Sequence, residues 1–113
     1  MPADVIDLQH LARYTGGDVA LNAEILRLFE TQTSELVAKL RAILEARDLQ
    51  SWKEVTHTSK GAARGVGAFA MADAAAQCEV VGIADPPLTA MALAKLAGET
   101  EAVQAFVKAH CAA

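Results

Sequence analysis

The chain has 113 residues, of which 53% are hydrophobic and only 4% aromatic, and its formal net charge is −4. This length fits one domain, residues 1–113, with a modest core, and the acidic balance argues against general nucleic-acid binding. Alternating runs of β-branched and aromatic residues are absent, so the composition favours helices packed through small side chains over a β-sandwich.

Targeting signals and metal motifs are also missing from the sequence. The N-terminus has neither the basic nor the apolar region of a signal peptide, and no apolar segment is long enough to span a membrane. The two cysteines, Cys78 and Cys111, are too few and too far apart for a disulfide framework or a zinc motif. We therefore expect a cytoplasmic protein with no metal site and no membrane contact.

The first half of the chain predicts one short helix and one long helix. Asp4 is expected to cap the short helix, which Gly16 and Gly17 end. Asp18 then begins a helix of about 28 residues, because apolar residues recur at spacings of three and four. Neither Gly nor Pro interrupts that pattern before Arg47.

The second half predicts three more helices. Asp48 caps the third helix, which runs into the stretch 65–67. A fourth helix is predicted from about Ala68 to Gly82. A fifth is predicted from Pro86 to about His110, with a kink or fraying at Gly98.

The predicted fold is all-α. Four long helices joined by short loops give an up-down antiparallel four-helix bundle, and the short extra N-terminal helix covers one open end. The sequence contains no linker, low-complexity segment or internal repeat. We expect a monomer.

The third helix carries the candidate site. At 100° per residue its apolar positions share one side, and the opposite side carries Lys53, His57, Lys60, Gly61 and Arg64. Gly61 weakens the helix by about 1 kcal/mol relative to Ala but leaves room beside the imidazole. Lys60 and Arg64 supply charge for a phosphoryl group or an acidic partner surface. The plain alternative is a solvated helix face that happens to contain a histidine.

Glu79 is the second candidate residue. The third and fourth helices form a hairpin that turns near Gly67, and His57 and Glu79 are nearly equally far from that turn. They are therefore expected at the same level. A carboxylate that accepts from Nδ1–H would fix the imidazole tautomer and leave Nε2 as the nucleophile. The alternative is an ordinary surface glutamate.

These residues carry a family resemblance. The sequence His57-Thr58-Ser59-Lys60-Gly61-Ala62-Ala63, followed by Gly67-Ala68 and Cys78-Glu79, resembles the histidine-containing phosphotransfer (HPt) family. The resemblance extends along the whole chain. It implies a four-helix bundle whose exposed His57 takes a phosphoryl group from an aspartyl phosphate on one receiver domain and passes it to the Asp of another.

The resemblance also implies partners and roles. The partners are response-regulator receiver domains and a hybrid sensor histidine kinase, and Mg²⁺ is expected on the receiver rather than on this chain. His57 is the phosphorylated residue, Lys60 and Glu79 assist it, and Gly61, Arg64 and Lys53 contact the phosphoryl group or the partner.

One position departs from the family pattern. The residue two after the histidine is usually Leu or another apolar residue, but here it is Ser59. We expect its hydroxyl to bond a backbone carbonyl within the helix.

Three further alternatives can be weighed from the sequence. The stretch 65–67 lacks the spacing of a P-loop, so an autonomous ATP-binding kinase is disfavoured and a phosphocarrier is favoured. A non-catalytic helical adaptor could bind receiver or kinase domains through the same face. A metal site is disfavoured because no two of the candidate ligands have helical i, i+3 or i, i+4 spacing. These candidates are His10, His57, His110, Cys78 and Cys111.

Overall fold

A computed structural model of the protein describes residues 5–111. Within this range the chain forms helices and no strand, so the predicted all-α class is confirmed. The six helices are α1 (Leu8–Thr15), α2 (Val19–Ser34), α3 (Leu36–Glu45), α4 (Leu49–Val66), α5 (Phe69–Val81) and α6 (Pro86–Cys111).

Aspartate side chains cap α1, α2 and α4. Asp18 and Asp48 cap α2 and α4 as predicted, each carboxylate accepting from a backbone N–H three residues later at 3.0 Å. The prediction for α1 was wrong: its cap is Asp7, and Asp4 lies outside the described residues. The cause is tertiary, because the Asp7 N–H donates to the carbonyl of Gly67 at 2.9 Å. That bond holds Asp7 in an extended conformation just before the helix.

The predicted single long helix is two helices, α2 and α3, which separate at Glu35. The break follows a cluster of hydroxyl side chains. Thr31, Thr33 and Ser34 each donate a hydroxyl hydrogen bond to a carbonyl three or four residues earlier, at 2.7–3.0 Å. Such bonds compete with the amide donors of the helix and bend it. A helix can therefore end here without Gly or Pro.

The expected interruption at Gly98 is also wrong, since α6 is continuous from Pro86 to Cys111. A single Gly in a helix costs only about 1 kcal/mol relative to Ala. The helix is held on both sides of it, because Leu96 and Val103 are almost fully buried. Packing of this kind outweighs a local propensity.

The helices enclose one core. α4 packs on α5, α5 on α6, α6 on α2, and α3 on α4, so these neighbours close a ring. α1 contacts α2 and α4. The largest fully buried side chains include Trp52, Ile6, Leu11, Leu26, Leu40, Met71 and Leu96. Among residues 5–111, no helix has both the length and the apolar character needed to cross a bilayer.

Candidate functional site

α4 presents His57 near its middle, and the C-terminal end of this helix is fixed tightly. Gly67 ends α4 in a left-handed conformation with φ of 86°. A Cβ at this position would lie 2.6 Å from the backbone oxygen of Asp7. Only glycine suits both the turn and the close approach, so the α4–α5 hairpin turns where the sequence predicted.

Trp52 fixes α4 against α5. Its buried indole Nε1 donates to the backbone carbonyl of Cys78 at 2.9 Å. Because Glu79 follows Cys78 directly, this bond sets the level at which Glu79 faces α4. Nothing in the sequence marks a distant backbone acceptor for the Trp52 indole.

Glu79 does reach His57 across the hairpin. The Nδ1 atom of His57 lies 2.9 Å from Oε2 of Glu79. The imidazole is 69% exposed, whereas the Glu79 side chain is 25% exposed. With Glu79 ionised, Nδ1 carries the proton and donates it, so the lone pair of Nε2 faces away from Glu79.

Lys60 also binds Glu79, which was not predicted. Its Nζ lies 2.7 Å from Oε1, and the Lys60 side chain is only 19% exposed. The hydrogen bond from Lys60, assisted by the weaker one from His57, lowers the pKa of the Glu79 carboxyl below its usual value. Lys60 was expected to supply free charge beside the imidazole, but the structure shows it paired. The sequence signal was the spacing, because a residue three positions after His57 shares its flank of the helix.

The other predicted positions lie on the exposed side of α4. Lys53, Gly61 and Arg64 are exposed. No ion pair within residues 5–111 involves Lys53 or Arg64, so both cations face solvent. A Cβ added at Gly61 would meet nothing within 4 Å. Packing inside the protein therefore does not require glycine here, and the open surface beside His57 is available to another molecule.

A family model described as the Hpt domain matches residues 24–106, well over half of the chain. The chain belongs to the Hpt domain family. The matched region runs from α2 into α6 and contains His57, Lys60 and Glu79. No curated protein and no solved structure matches the chain.

Membership of the Hpt family implies that this protein takes part in a histidine phosphotransfer relay, in which Hpt domains interact with receiver domains and histidine kinases. The family match covers His57 but does not itself assign the phosphorylated residue.

Ser59 behaves in this Hpt domain as its chemistry predicts. Its hydroxyl donates to the carbonyl of Val55, one turn earlier, at 2.7 Å. The side chain is half-buried beside a cleft between α4 and the α2–α3 break. A smaller residue therefore stands where a larger apolar one is usual.

The described residues hold no group of three or more His, Cys, Asp or Glu side chains that could bind a metal ion. His10 instead packs edge-on against Tyr14 and Phe69, with ring centroids 5.7 and 5.1 Å apart. His110 stacks on Phe106. These two histidines contact aromatic rings.

Proposed function

We propose that this Hpt protein is a phosphocarrier in a multistep phosphorelay of two-component signalling. His57 accepts a phosphoryl group from the aspartyl phosphate of one receiver domain and passes it to the aspartate of another. The observation that carries the proposal is the contact of His57 Nδ1 with Glu79 at 2.9 Å on a side chain that is 69% exposed. One ring nitrogen is held by the protein, and the other faces an incoming group.

The transfer step balances without any further reactant. Nε2 attacks phosphorus in line, the P–O bond to the receiver carboxylate breaks, and that carboxylate leaves with the electron pair. The Nδ1 proton stays between the ring and Glu79. In the reverse step the P–Nε2 bond breaks and its electron pair returns to Nε2, so the same geometry supports transfer in both directions.

Glu79 and Lys60 act on the reaction through His57. Glu79 selects the tautomer with a free Nε2 and stabilises positive charge on the ring while the P–N bond forms. Lys60 holds the carboxylate in place at 2.7 Å. We assign it this positioning role because its charge is already paired.

Because Lys60 is paired with Glu79, we assign the contacts with the phosphoryl oxygens to other groups. Phosphoryl transfer depends mostly on positioning and on charge stabilisation. Arg64 lies one turn from Lys60 and is exposed and unpaired among the described residues, as is Lys53. Gly61 leaves space for the phosphoryl group and for the receiver surface that carries it.

The proposal extends to the partners and the setting. Response-regulator receiver domains and a hybrid sensor histidine kinase are the partners, and the receiver brings the Mg²⁺. This chain needs no cofactor of its own. We further propose a cytoplasmic monomer and an up-down antiparallel four-helix bundle in which α2 and α3 together form one member. The ring of helix neighbours supports this arrangement.

A transfer assay tests the function. The protein is incubated with a labelled phospho-receiver domain and Mg²⁺, with His57→Gln as the control. We expect label that is acid-labile and alkali-stable, which is the behaviour of a phosphohistidine, and none on the variant. Binding of a receiver without any label on His57 would favour a non-catalytic adaptor instead.

A further inference from the structure

A cleft opens on the flank of α4 opposite to Glu79. It has a volume of about 530 Å³ and lies between α4 and the break that separates α2 from α3. Protein pockets that hold small ligands have volumes of about 300–1,000 Å³. Its lining is drawn from α2, α3, α4 and α5.

The floor of the cleft is apolar. Phe29, Leu36 and Met71 line it and are almost fully buried in the core. Two of the lining hydroxyl groups already have partners within the protein, since Ser59 donates to a carbonyl at 2.7 Å and Thr33 to another at 3.0 Å. The floor therefore suits an apolar group.

Ser59 leaves this space open. A Leu side chain has two more heavy atoms than Ser, and here it would start from a half-buried position on the cleft wall. The Ser hydroxyl bonds back to its own helix and does not fill the gap. The departure from the family pattern therefore widens the cleft at its α4 wall.

The rim of the cleft is charged. Glu35 and Lys39 are one turn apart and carry opposite charges, and Glu54, whose carboxylate accepts from Gln50 Nε2 at 3.2 Å, is the acidic residue that α4 contributes to the lining. No ion pair within residues 5–111 involves these three side chains. The rim favours a partner that carries a basic residue next to an apolar one.

The cleft is continuous with the surface around His57. Thr58, the next residue, lines the cleft, and Glu54 lies one turn before His57. A receiver that brings its aspartate to Nε2 therefore also covers the mouth of the cleft.

We propose that this cleft is a specificity site for the docking receiver, which inserts an apolar side chain of Leu, Ile or Met size flanked by a basic residue. The proposal rests on the function proposed above. It names the cleft beside Ser59, rather than the basic side of α4, as the feature that distinguishes one receiver from another.

Filling the cleft tests the proposal. Ser59→Leu extends an apolar side chain into the cleft from its α4 wall, whereas Ser59→Ala leaves the cleft open and removes only the hydroxyl. Ala94→Leu adds the same bulk on an exposed position of α6, which contributes nothing to the cleft. Ala62→Met, which also fills the cleft from the α4 side, replaces Ser59→Leu if that variant does not fold.

Affinity is measured by titration calorimetry. The titrant is the receiver domain that exchanges label with the wild-type protein. If no receiver exchanges label, the titrant is the receiver that binds the wild-type protein most tightly. We expect the Kd to rise at least tenfold for the filled variants, because they exclude one aliphatic side chain from burial. The Kd of Ser59→Ala and that of Ala94→Leu should each stay within twofold of the wild-type Kd. The transfer rate at saturating receiver should be unchanged, since His57, Lys60 and Glu79 are untouched.

A second readout observes the floor directly. The methyl resonance of Met71, a side chain that is 1% exposed, should shift when the receiver binds. Equal affinity of Ser59→Leu and wild type, with an unmoved Met71 resonance, would overturn the proposal. A shift with isopropanol as an apolar probe, but with no receiver of the panel, would also overturn it and indicate a small-molecule site.

The outcomes separate this inference from the proposed function. If label is transferred to His57 but the filled variants bind the receiver as tightly as the wild type, only the specificity role of the cleft is refuted. If the filled variants bind the receiver more weakly but no label reaches His57, only the phosphocarrier role is refuted. If no receiver binds the wild-type protein, both proposals fail.

Discussion

The hydrogen bond from Trp52 to the carbonyl of Cys78 and the contact between His57 and Glu79 are consecutive along α5, because Glu79 follows Cys78. A buried core bond therefore fixes the register of an exposed site. In this protein the packing of the α4–α5 hairpin therefore determines the geometry of the imidazole.

Trp52→Phe should destabilise the protein by about 2 kcal/mol, because it removes a buried hydrogen bond and leaves part of the indole volume empty. Urea unfolding measures this loss as a lower midpoint with an unchanged slope. Because Phe still fills most of the site, the variant should fold. A loss below about 0.5 kcal/mol would show that the indole bond does not hold the hairpin.

Glu79→Ala should slow phosphorylation of His57 by about tenfold to a hundredfold, because the imidazole loses the acceptor that orders its tautomer. Glu79→Gln keeps an acceptor oxygen and should lose less. The rate at saturating phospho-receiver is the measurement, and equal rates for all three proteins would contradict the role of Glu79.

Lys60→Met should slow the same reaction less than Glu79→Ala, because Lys60 acts through the carboxylate. A double-mutant cycle separates this role from direct contact with the phosphoryl group. If Lys60 only positions Glu79, Lys60→Met has no further effect in a protein that already carries Glu79→Ala. Fully additive losses would instead assign Lys60 to the phosphoryl oxygens.

The sequence was sufficient to predict the features that depend on interactions between residues close together in the chain. Asp18, Asp48 and Gly67 end or begin helices as predicted, because caps and left-handed turns need particular residues. The contact of His57 with Glu79 could be predicted because a short hairpin fixes the register of its two helices.

The predictions failed where contacts between residues far apart in the sequence determine the structure. Asp4 was predicted to cap α1, but the cap is Asp7, whose N–H is held by the distant carbonyl of Gly67. The break at Glu35 comes from hydroxyl groups that each cost little alone. The pairing of Lys60 with Glu79 required the side-chain direction on α4 as well as the spacing.

The lowered pKa of Glu79 predicts how its contribution to stability depends on pH. A carboxyl whose pKa is lower in the folded state stabilises the fold when ionised. This contribution is fully present above its ordinary pKa of 4.5 and is lost as the pH falls through the lower folded-state value. The stability advantage of wild type over Glu79→Gln should therefore shrink as the pH falls below 4.5.

Urea midpoints of both proteins at several pH values test this. The other carboxyl groups, including Asp48 with its Ser51 bonds, are common to both proteins and cancel in the difference. A difference that grows as the pH falls would reverse the sign and contradict the pairing of Glu79.

Gly61→Ala and Gly98→Ala form a matched pair that separates helix stability from function. Both glycines lie in helices, and a Cβ at either position meets nothing within 4 Å. Each substitution should stabilise the free protein by about 0.5–1 kcal/mol through helix propensity. Only Gly61→Ala should slow transfer from a phospho-receiver, because only Gly61 lies one turn from His57, where the receiver approaches. Urea unfolding and the transfer assay measure the two effects on the same samples. Wild-type transfer by a stabilised Gly61→Ala protein would mean that the open surface beside His57 is not used for docking.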